Sequence, residues 1–332
     1  MTARARLFAG RVAATYAPTM DDTPEAGRRG FDFGRYIARR KRAAYGGEEG
    51  ARYAYSADLA MLHTFKRMKP VEMAAAAIVR MYKDGFFKNQ MLGTMIKVTP
   101  RQFPRIYRIA EECADTLDVP VPQLFVANHP VLNAYTFGTD EEAFIVIHSA
   151  MIDHYDPDEL KFVIGHETGH IQNKHVIYNT VLLLLKNTAV AMLRLILPPI
   201  EIALNAWYRR AEITCDRAGL LCTGDLESGT RALLKLACGS TKLYDELDVE
   251  AYLEQFDEGR DGVGRFTELF ASHPFLTKRI HALRAFAKSD VYRQAMGLGE
   301  GGMSMEDVDR ETSEIIQILK GNGDKRGEGS DL

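Results

Sequence analysis

Two histidines four residues apart, in a stretch with strong helix signals, place the tightest constraint on how this chain folds. Residues 162–175 read F-V-I-G-H-E-T-G-H-I-Q-N-K-H, so His166 and His170 flank Glu167. On a helix, side chains four residues apart project from one face, so both imidazoles can bind one tetrahedral ion. A carboxylate beside the first histidine can then take a proton from a water molecule at that ion. The spacing predicts a zinc site with Glu167 as the general base.

The helix that carries these residues has a clear start in the sequence. Asp156 is suited to cap its N-terminus, and Pro157 suits the first helical position. Glu159 stands three residues after Asp156, where a capping box needs a glutamate. We therefore predict that a helix begins at this point and continues through His170.

A catalytic zinc site needs a third protein ligand and one open position. The best candidate is Glu212, on a helix predicted around R-R-A-E-I-T-C-D-R-A-G at 209–219. Asp216 lies one turn later and could accept a hydrogen bond from the outer nitrogen of a ligand histidine. The residues alone leave open an ordinary helix surface of mixed charge. His175 is also available, but it lies off the ligand face, five residues after His170. Two histidines and a glutamate suit one Zn²⁺ per chain, without excluding other divalent ions.

Hydrophobic and turn patterns predict an α+β fold that is mainly α-helical, with a small sheet beside the zinc-site helix. Two strands are predicted, at 123–127 and 143–149, joined by a connection rich in turn formers. The predicted helices cover 57–88 with a break at Pro70, 104–117 with Thr99 as an alternative start, 232–255, 272–296 and 306–320.

Composition narrows the classes of partner and the cellular location. Apolar residues make up 46% of the 332 residues, and the formal net charge of -3 gives no reason to expect a nucleic-acid partner. The four cysteines form no C-x-x-C pair, so we expect them to be reduced and mostly buried. Arg11 interrupts the apolar part of the N-terminus, which disfavours a cleaved signal peptide. A cytoplasmic location, with or without membrane association, is predicted.

The strongly apolar segment 176–208 is the main feature outside the zinc motif. Lys186 and Arg194 interrupt it, and Pro198-Pro199 is expected to end its helix. Its longest uncharged run is well short of the roughly 18 residues that span a bilayer. We expect a buried helix, a lid, or a contact for self-association or a membrane surface. The sequence thus divides into a basic, mobile segment 1–50, a metallopeptidase domain 51–300 that holds this insert, and a C-terminal helix and disordered tail 301–332.

Three ordered motifs resemble those of the HtpX and CaaX-prenyl-protease family of gluzincin zinc metallopeptidases. They are H-E-T-G-H at 166–170, E-I-T-C-D-R-A-G at 212–219 and S-H-P-F-L-T-K-R-I at 272–280. The stretch 121–138 also resembles the strand and loop that precede the metal helix in that family. The resemblance implies that His166, His170 and Glu212 bind zinc, that Glu167 is the general base, and that Asp216 supports the ligands.

The same resemblance assigns roles to two later residues and one strand. It implies that His273 faces the site and stabilises the oxyanion, although a histidine before Pro274 otherwise indicates a helix start. It implies a supporting role for Arg279. It also implies that 143–149 is an edge strand along which an extended peptide binds. Many relatives have membrane-spanning helices, whereas charges and prolines break the 176–208 segment here.

The prediction that joins these observations is a zinc-dependent metalloendopeptidase acting on protein or peptide substrates. The alternative is a zinc-stabilised or latent protein of the same fold that acts mainly by binding a partner or a membrane surface. In the latent case, 1–50 or 176–208 would cover the cleft.

Overall fold

A computed structural model describes residues 51–69, 93–140, 142–186, 198–244, 246–258 and 276–316, with the single positions 73, 76 and 77. All of them belong to one compact unit, residues 39–332, while a second unit, residues 1–38, lies outside the described residues. The predictions for the N-terminal segment 1–50 and for the tail at 321–332 also fall outside them.

Helices dominate the described chain, and one small sheet accompanies them, which confirms the predicted α+β, mainly helical class. In chain order the elements are α1 (Ser56–Phe65), β1 (Ile96–Lys97), α2 (Pro104–Thr116), β2 (Gln123–Ala127), β3 (Ala134–Gly138), β4 (Ala143–His148), α3 (Ser149–His154), α4 (Pro157–Gln172), α5 (Val176–Lys186), α6 (Pro198–Thr223), α7 (Leu226–Cys238), α8 (Thr241–Tyr244), α9 (Val249–Glu258), α10 (Leu276–Phe286), α11 (Asp290–Ala295) and α12 (Met305–Ile316).

The sheet has four strands in the order β1-β2-β4-β3. The predicted strands at 123–127 and 143–149 are confirmed as β2 and β4, which pair in parallel. The strand β3 lies in the region that was expected to be only a connection, and it pairs antiparallel with β4. The expectation that 143–149 forms an edge strand is therefore wrong, because β3 covers that side of β4 and becomes the edge itself.

The interior position of β4 explains its almost unbroken run of apolar residues. Successive side chains of a strand point to opposite faces. Ile145 and Ile147 enter the main hydrophobic core, while Phe144 and Val146 join a smaller cluster on the other face. A strand that is buried on both faces loses the polar alternation that marks a half-exposed strand.

The predicted start of α4 is confirmed in detail. Backbone N–H groups of Asp158 and Glu159 donate to the Asp156 carboxylate, and the Glu159 carboxylate accepts from the backbone N–H of Asp156. Glu159 is fully buried and also lies 2.7 Å from the ammonium of Lys235 on α7. The beginning of the metal-site helix is thereby tied to a neighbouring helix.

Of the two predicted starts of α2, Pro104 is confirmed and Thr99 is not. Two other predicted helices are divided in the structure. The predicted helix 232–255 is interrupted after Cys238, because Gly239 ends α7 with a left-handed backbone (φ of 63°). The predicted helix 272–296 is divided where Ser289 caps α11. In each case a residue with a specific capping role ends or starts a helix that periodicity alone had continued.

The described parts of the apolar segment 176–208 pack inside the protein. Leu204 and Trp207 are fully buried and join Phe65 and Tyr178 in a second core cluster. The expectation that Pro198-Pro199 ends a helix stays a prediction, because residues 187–197 lie outside the described residues and Pro198 is the first described residue of α6. None of the helices within the described ranges is long and apolar enough to cross a membrane.

The two helices that carry the metal-site motifs approach each other closely through glycines. A Cβ added at Gly169 of α4 would stand 2.7 Å from the Cβ of Ala218 on α6. A Cβ added at Gly165 would stand 2.7 Å from the Cβ of Cys222, also on α6. These distances are well inside van der Waals contact, so α4 and α6 can lie this close only because both positions lack a side chain.

We predict that Gly169→Ala lowers the free energy of unfolding by about 1–2 kcal/mol. Overpacking a core costs about 1–3 kcal/mol, and the better helix propensity of alanine returns up to about 1 kcal/mol. Urea denaturation measures the change. Gly93→Ala is the matched control, because that exposed helical glycine has open space where a Cβ would be added. Equal stability of the two variants would contradict the proposed close approach.

Candidate metal centre

Three predicted ligand residues converge in the buried space between α4 and α6. The Nε2 atoms of His166 and His170 lie 3.7 and 3.4 Å from Oε1 of Glu212. One ligand atom from each of the three residues lies within 4.8 Å of the others. The spacing of four on α4 puts both imidazoles on one face, and α6 brings the carboxylate to that face.

The chemistry of this donor set fits a divalent cation. Nε2 of His170 is buried and has no hydrogen-bond partner within the described chain, which is costly unless something binds it. Burial lowers the pKa of His170, which favours the neutral imidazole that a metal requires. Two imidazole nitrogens and one carboxylate oxygen form the donor set of many catalytic zinc sites.

Asp216 lies directly behind His166, as predicted. Its Oδ1 is 3.0 Å from Nδ1 of His166. Burial opposes the charge on Asp216, but Arg279 and then His166 lower its pKa below the usual value. An ionised Asp216 can only accept hydrogen bonds, so His166 donates through Nδ1–H, and Nε2 is the nitrogen that faces Glu212 and would bind a metal.

Arg279 on α10 connects the two acidic residues of α6. Its Nε and Nη2 donate to Asp216 at 2.8 and 2.6 Å, and its Nη1 lies 3.0 Å from Oε2 of Glu212. The planar guanidinium matches this two-point contact. Arg279 thus holds both carboxylates in place, which agrees with the supporting role that was predicted for it.

Negative charge dominates this centre despite Arg279. Burial lowers the pKa of His166, but Glu212 and Asp216 outweigh it and raise that pKa to about 10. The local field therefore favours positive charge at the place where the three ligand atoms meet. A bound cation would be stabilised by the same field.

Glu167 lies at the same centre and contacts the edge strand of the sheet. The hydroxyl of Thr136 on β3 lies 2.6 Å from its Oε2 and 3.1 Å from its backbone oxygen. Glu167 is 6% exposed. The contact with Thr136 orients the carboxylate and leaves Oε1 for another partner. Thr136 was missed because β3 was missed, although Tyr135, Thr136 and Phe137 are good strand formers.

Tyr208 is a second residue that the sequence reasoning overlooked. Its ring stacks on His170 with centroids 5.7 Å apart and planes 6° apart. Burial, then Glu212 and Glu167, raise the pKa of Tyr208 well above its usual value, so the phenol keeps its proton beside the acidic groups. Its position one helical turn before Glu212 was the available sequence signal.

One candidate residue of the sequence analysis stands apart from this convergence point. His175 lies behind His170, with the two Nδ1 atoms 3.2 Å apart, and so does not reach the point where the other ligand atoms meet. His273 lies outside the described residues, and its predicted role stays a prediction.

We predict that Arg279→Met lowers the free energy of unfolding of the metal-free protein by about 3–5 kcal/mol, because two buried carboxylates lose their cation. Chemical denaturation in the presence of a chelator measures this. Arg284→Met on the same helix is the control, since Arg284 pairs with the exposed Glu250, and it should cost only a small part of that loss. Similar losses for both variants would argue against a tightly coupled buried network.

Comparisons with known proteins agree with this geometry. A curated relative from Arabidopsis thaliana, the plastoglobule-localized metallopeptidase 48, chloroplastic, is 36% identical over 168 residues, covering 49% of this chain and 49% of the relative. A protease HtpX homolog from Helicobacter pylori is 29% identical over 193 residues, covering 49% of this chain and 60% of the relative. Another from Streptococcus pyogenes is 23% identical over 228 residues, covering 57% and 75%.

The chain spans about half the length of the plant relative and 60% of the Helicobacter protein. The sequence model of peptidase family M48 matches residues 100–287. This range includes β2, β3, β4, the metal-centre helices and Arg279. It covers more than half of the chain, and the chain therefore belongs to peptidase family M48.

Proposed function

We propose that this chain is a zinc-dependent metalloendopeptidase that hydrolyses peptide bonds in protein or peptide substrates. The observation that carries the proposal is the convergence of His166, His170 and Glu212, with Glu167 close enough to act electrostatically on His170. Membership of family M48 supports it. In this proposal His166, His170 and Glu212 hold one Zn²⁺, which when bound would acidify a water molecule and polarise the scissile carbonyl.

Glu167 acts as the general base in this proposal. Its carboxylate takes the proton of the attacking water and later delivers it to the leaving amine. Thr136 supports this role, because its hydroxyl contacts Oε2 and leaves Oε1 for the water. The nearly complete burial of Glu167 strengthens its electrostatic interactions at the centre.

The substrate backbone would bind along β3. Within the described residues β3 pairs only with β4 among the strands. The hydroxyl of Thr180 on α5 already binds the backbone N–H and C=O of Gly138 at the end of β3, so an extended peptide would pair with the part of the strand before Gly138. Because Thr136 belongs to this strand, a peptide paired there would lie beside Glu167. His273, assigned by the family resemblance, would donate a hydrogen bond to the carbonyl oxygen as negative charge develops on it.

The proposal also covers the contacts made by the segment 176–208 and the cellular location of the chain. The described residues of 176–208 are largely buried in the second core cluster, which leaves less of that segment for self-association or for a membrane surface. A cytoplasmic location, with or without membrane contact, stays a prediction.

We predict that Glu167→Gln reduces peptide hydrolysis at least about 100-fold, because general-base catalysis contributes about 10²–10⁴-fold. Cleavage of unfolded casein by the full chain measures activity, and metal analysis of the same samples should show one zinc per chain in both proteins. Glu111 is an exposed residue of α2. The substitution Glu111→Gln is therefore the matched control and should retain activity. Full hydrolysis by Glu167→Gln would refute the assigned base.

Metal removal gives an independent test. We expect 1,10-phenanthroline to abolish cleavage and stoichiometric zinc to restore it, because the His166, His170 and Glu212 side chains alone offer no strong nucleophile. The same casein assay follows the loss and the recovery. Activity that survives complete zinc removal would contradict the proposed function.

A further inference from the structure

A buried group of side chains lies on the side of His170 that faces away from Glu212. Nδ1 of His175 is 3.2 Å from Nδ1 of His170. His175 itself is completely buried, at 0% exposure. The reaction proposed above does not use this residue, yet it directly contacts a proposed metal ligand.

The far side of His175 meets the carboxylate of Asp58 on α1. Nε2 of His175 lies 3.1 Å from Oδ2 of Asp58. The same carboxylate accepts hydrogen bonds from Nε1 of Trp207 at 2.8 Å and from the hydroxyl of Thr214 at 2.7 Å. Burial opposes ionisation, but His175, Thr214 and Trp207 together lower the pKa of Asp58. The three groups that contact the Asp58 carboxylate within the described chain can all donate, which suits a carboxylate that only accepts.

This arrangement determines where the ring protons lie. With Asp58 as acceptor, a neutral His175 carries its proton on Nε2, and its Nδ1 becomes an acceptor. The neighbouring Nδ1 of His170 must then carry a proton and donate it. The lone pair of His170 is left on Nε2, the atom that faces Glu212 at 3.4 Å.

We propose that Asp58 and His175 are positioning residues that fix the tautomer of His170 and thereby raise the zinc affinity of the site. They would do for His170 what Asp216 does for His166. This inference rests on the proposed function, because it assumes that Nε2 of His170 binds the metal. Groups that orient ligand histidines typically change metal affinity by about 10- to 100-fold.

Two neighbouring side chains offer rival explanations. Sγ of Cys215 lies 3.7 Å from Nδ1 of His175, so Cys215, His175 and His170 could form a separate metal group. Burial raises the pKa of Cys215 well above its usual value, which keeps it a thiol and a poor ligand. Nδ2 of Asn179 also lies 3.1 Å from Nδ1 of His170, so a donor would face the proposed Nδ1–H, while Oδ1 of Asn179 has no hydrogen-bond partner in the described chain. The proposed tautomer therefore requires the amide in its turned orientation, in which Oδ1 is an alternative acceptor for the same proton.

The first test compares two substitutions of equal size at one position. His175→Leu and His175→Asn leave nearly the same space, but only the asparagine oxygen can accept the Nδ1–H of His170. Zinc affinity of the full chain is measured by competition with a chromophoric chelator. We expect His175→Leu to bind zinc about 10- to 100-fold more weakly than the wild type, and His175→Asn to recover a large part of that loss. Equal losses for both variants would overturn the inference.

A second variant tests Asp58 with a side chain of similar size. Asp58→Leu removes both acceptor oxygens, so nothing holds the proton of His175 on Nε2 and the tautomer of His170 is no longer fixed. We expect a loss of zinc affinity similar to that of His175→Leu. The melting temperature of each metal-free variant shows how much of its change is purely structural. Wild-type affinity in a folded Asp58→Leu protein would overturn the proposal.

The remaining comparisons separate the rival explanations and keep the test valid if a variant does not fold. We expect Cys215→Ala to keep the wild-type zinc affinity and Asn179→Ala to lose less zinc affinity than His175→Leu. The opposite result for either residue would overturn the inference.

In the zinc-loaded wild type, NMR of ¹⁵N-labelled histidines should show protons on Nδ1 of His170 and Nε2 of His175. The reverse tautomers would also overturn it. If the wild type binds no zinc, the proposed function fails; if it binds zinc with the reverse tautomers, only this inference fails.

Discussion

The close contact between α4 and α6 is the feature on which the rest of the site depends. Gly165 and Gly169 lie where any side chain would clash with α6, and this close approach brings Glu212 within 3.7 Å of both ligand histidines. A wider separation would leave three side chains that cannot meet at one ion. The close packing at these two glycines therefore determines the geometry of the metal centre.

Buried charge is the second constraint, and ion pairs compensate it. Glu212 and Asp216 would be costly inside the protein without the guanidinium of Arg279, which contacts both. Buried carboxylates also lie behind both ligand histidines. His166 has Asp216 behind it, and His170 has His175 and then Asp58 behind it. Each proposed ligand histidine is thus held by a chain of hydrogen-bonding groups that ends in a buried carboxylate.

The parts of the fold that were predictable have strong local signals. The capping box at Asp156 and the spacing of His166 and His170 follow from helix geometry alone, and the structure shows the expected helix. The strand β3 was missed because its flanking turn residues dominated the pattern. The wrong edge strand came from the family resemblance, which assigned that role to 143–149, whereas β3 lies outside it in the sheet.

The supporting residues of the site were harder to foresee for a physical reason. Thr136, Asp58 and Tyr208 act through contacts that depend on how separate elements pack, and Asp58 lies far from His175 in the chain. For Thr136 and Asp58, no periodicity or local motif reports such a contact. Tyr208 and Asp216 lie one turn before and one turn after Glu212, and Asp216 was proposed from that spacing. Arg279 was predicted only because a motif of the family resemblance contains it.

A crystal structure of the zinc-loaded full chain, with anomalous diffraction recorded at the zinc edge, tests the central claim most directly. The account predicts one zinc ion per chain, bound by Nε2 of His166, Nε2 of His170 and a carboxylate oxygen of Glu212, with a coordination position open beside Glu167. An ion bound instead by His175 and Cys215, or a fourth protein ligand that closes the site, would contradict it.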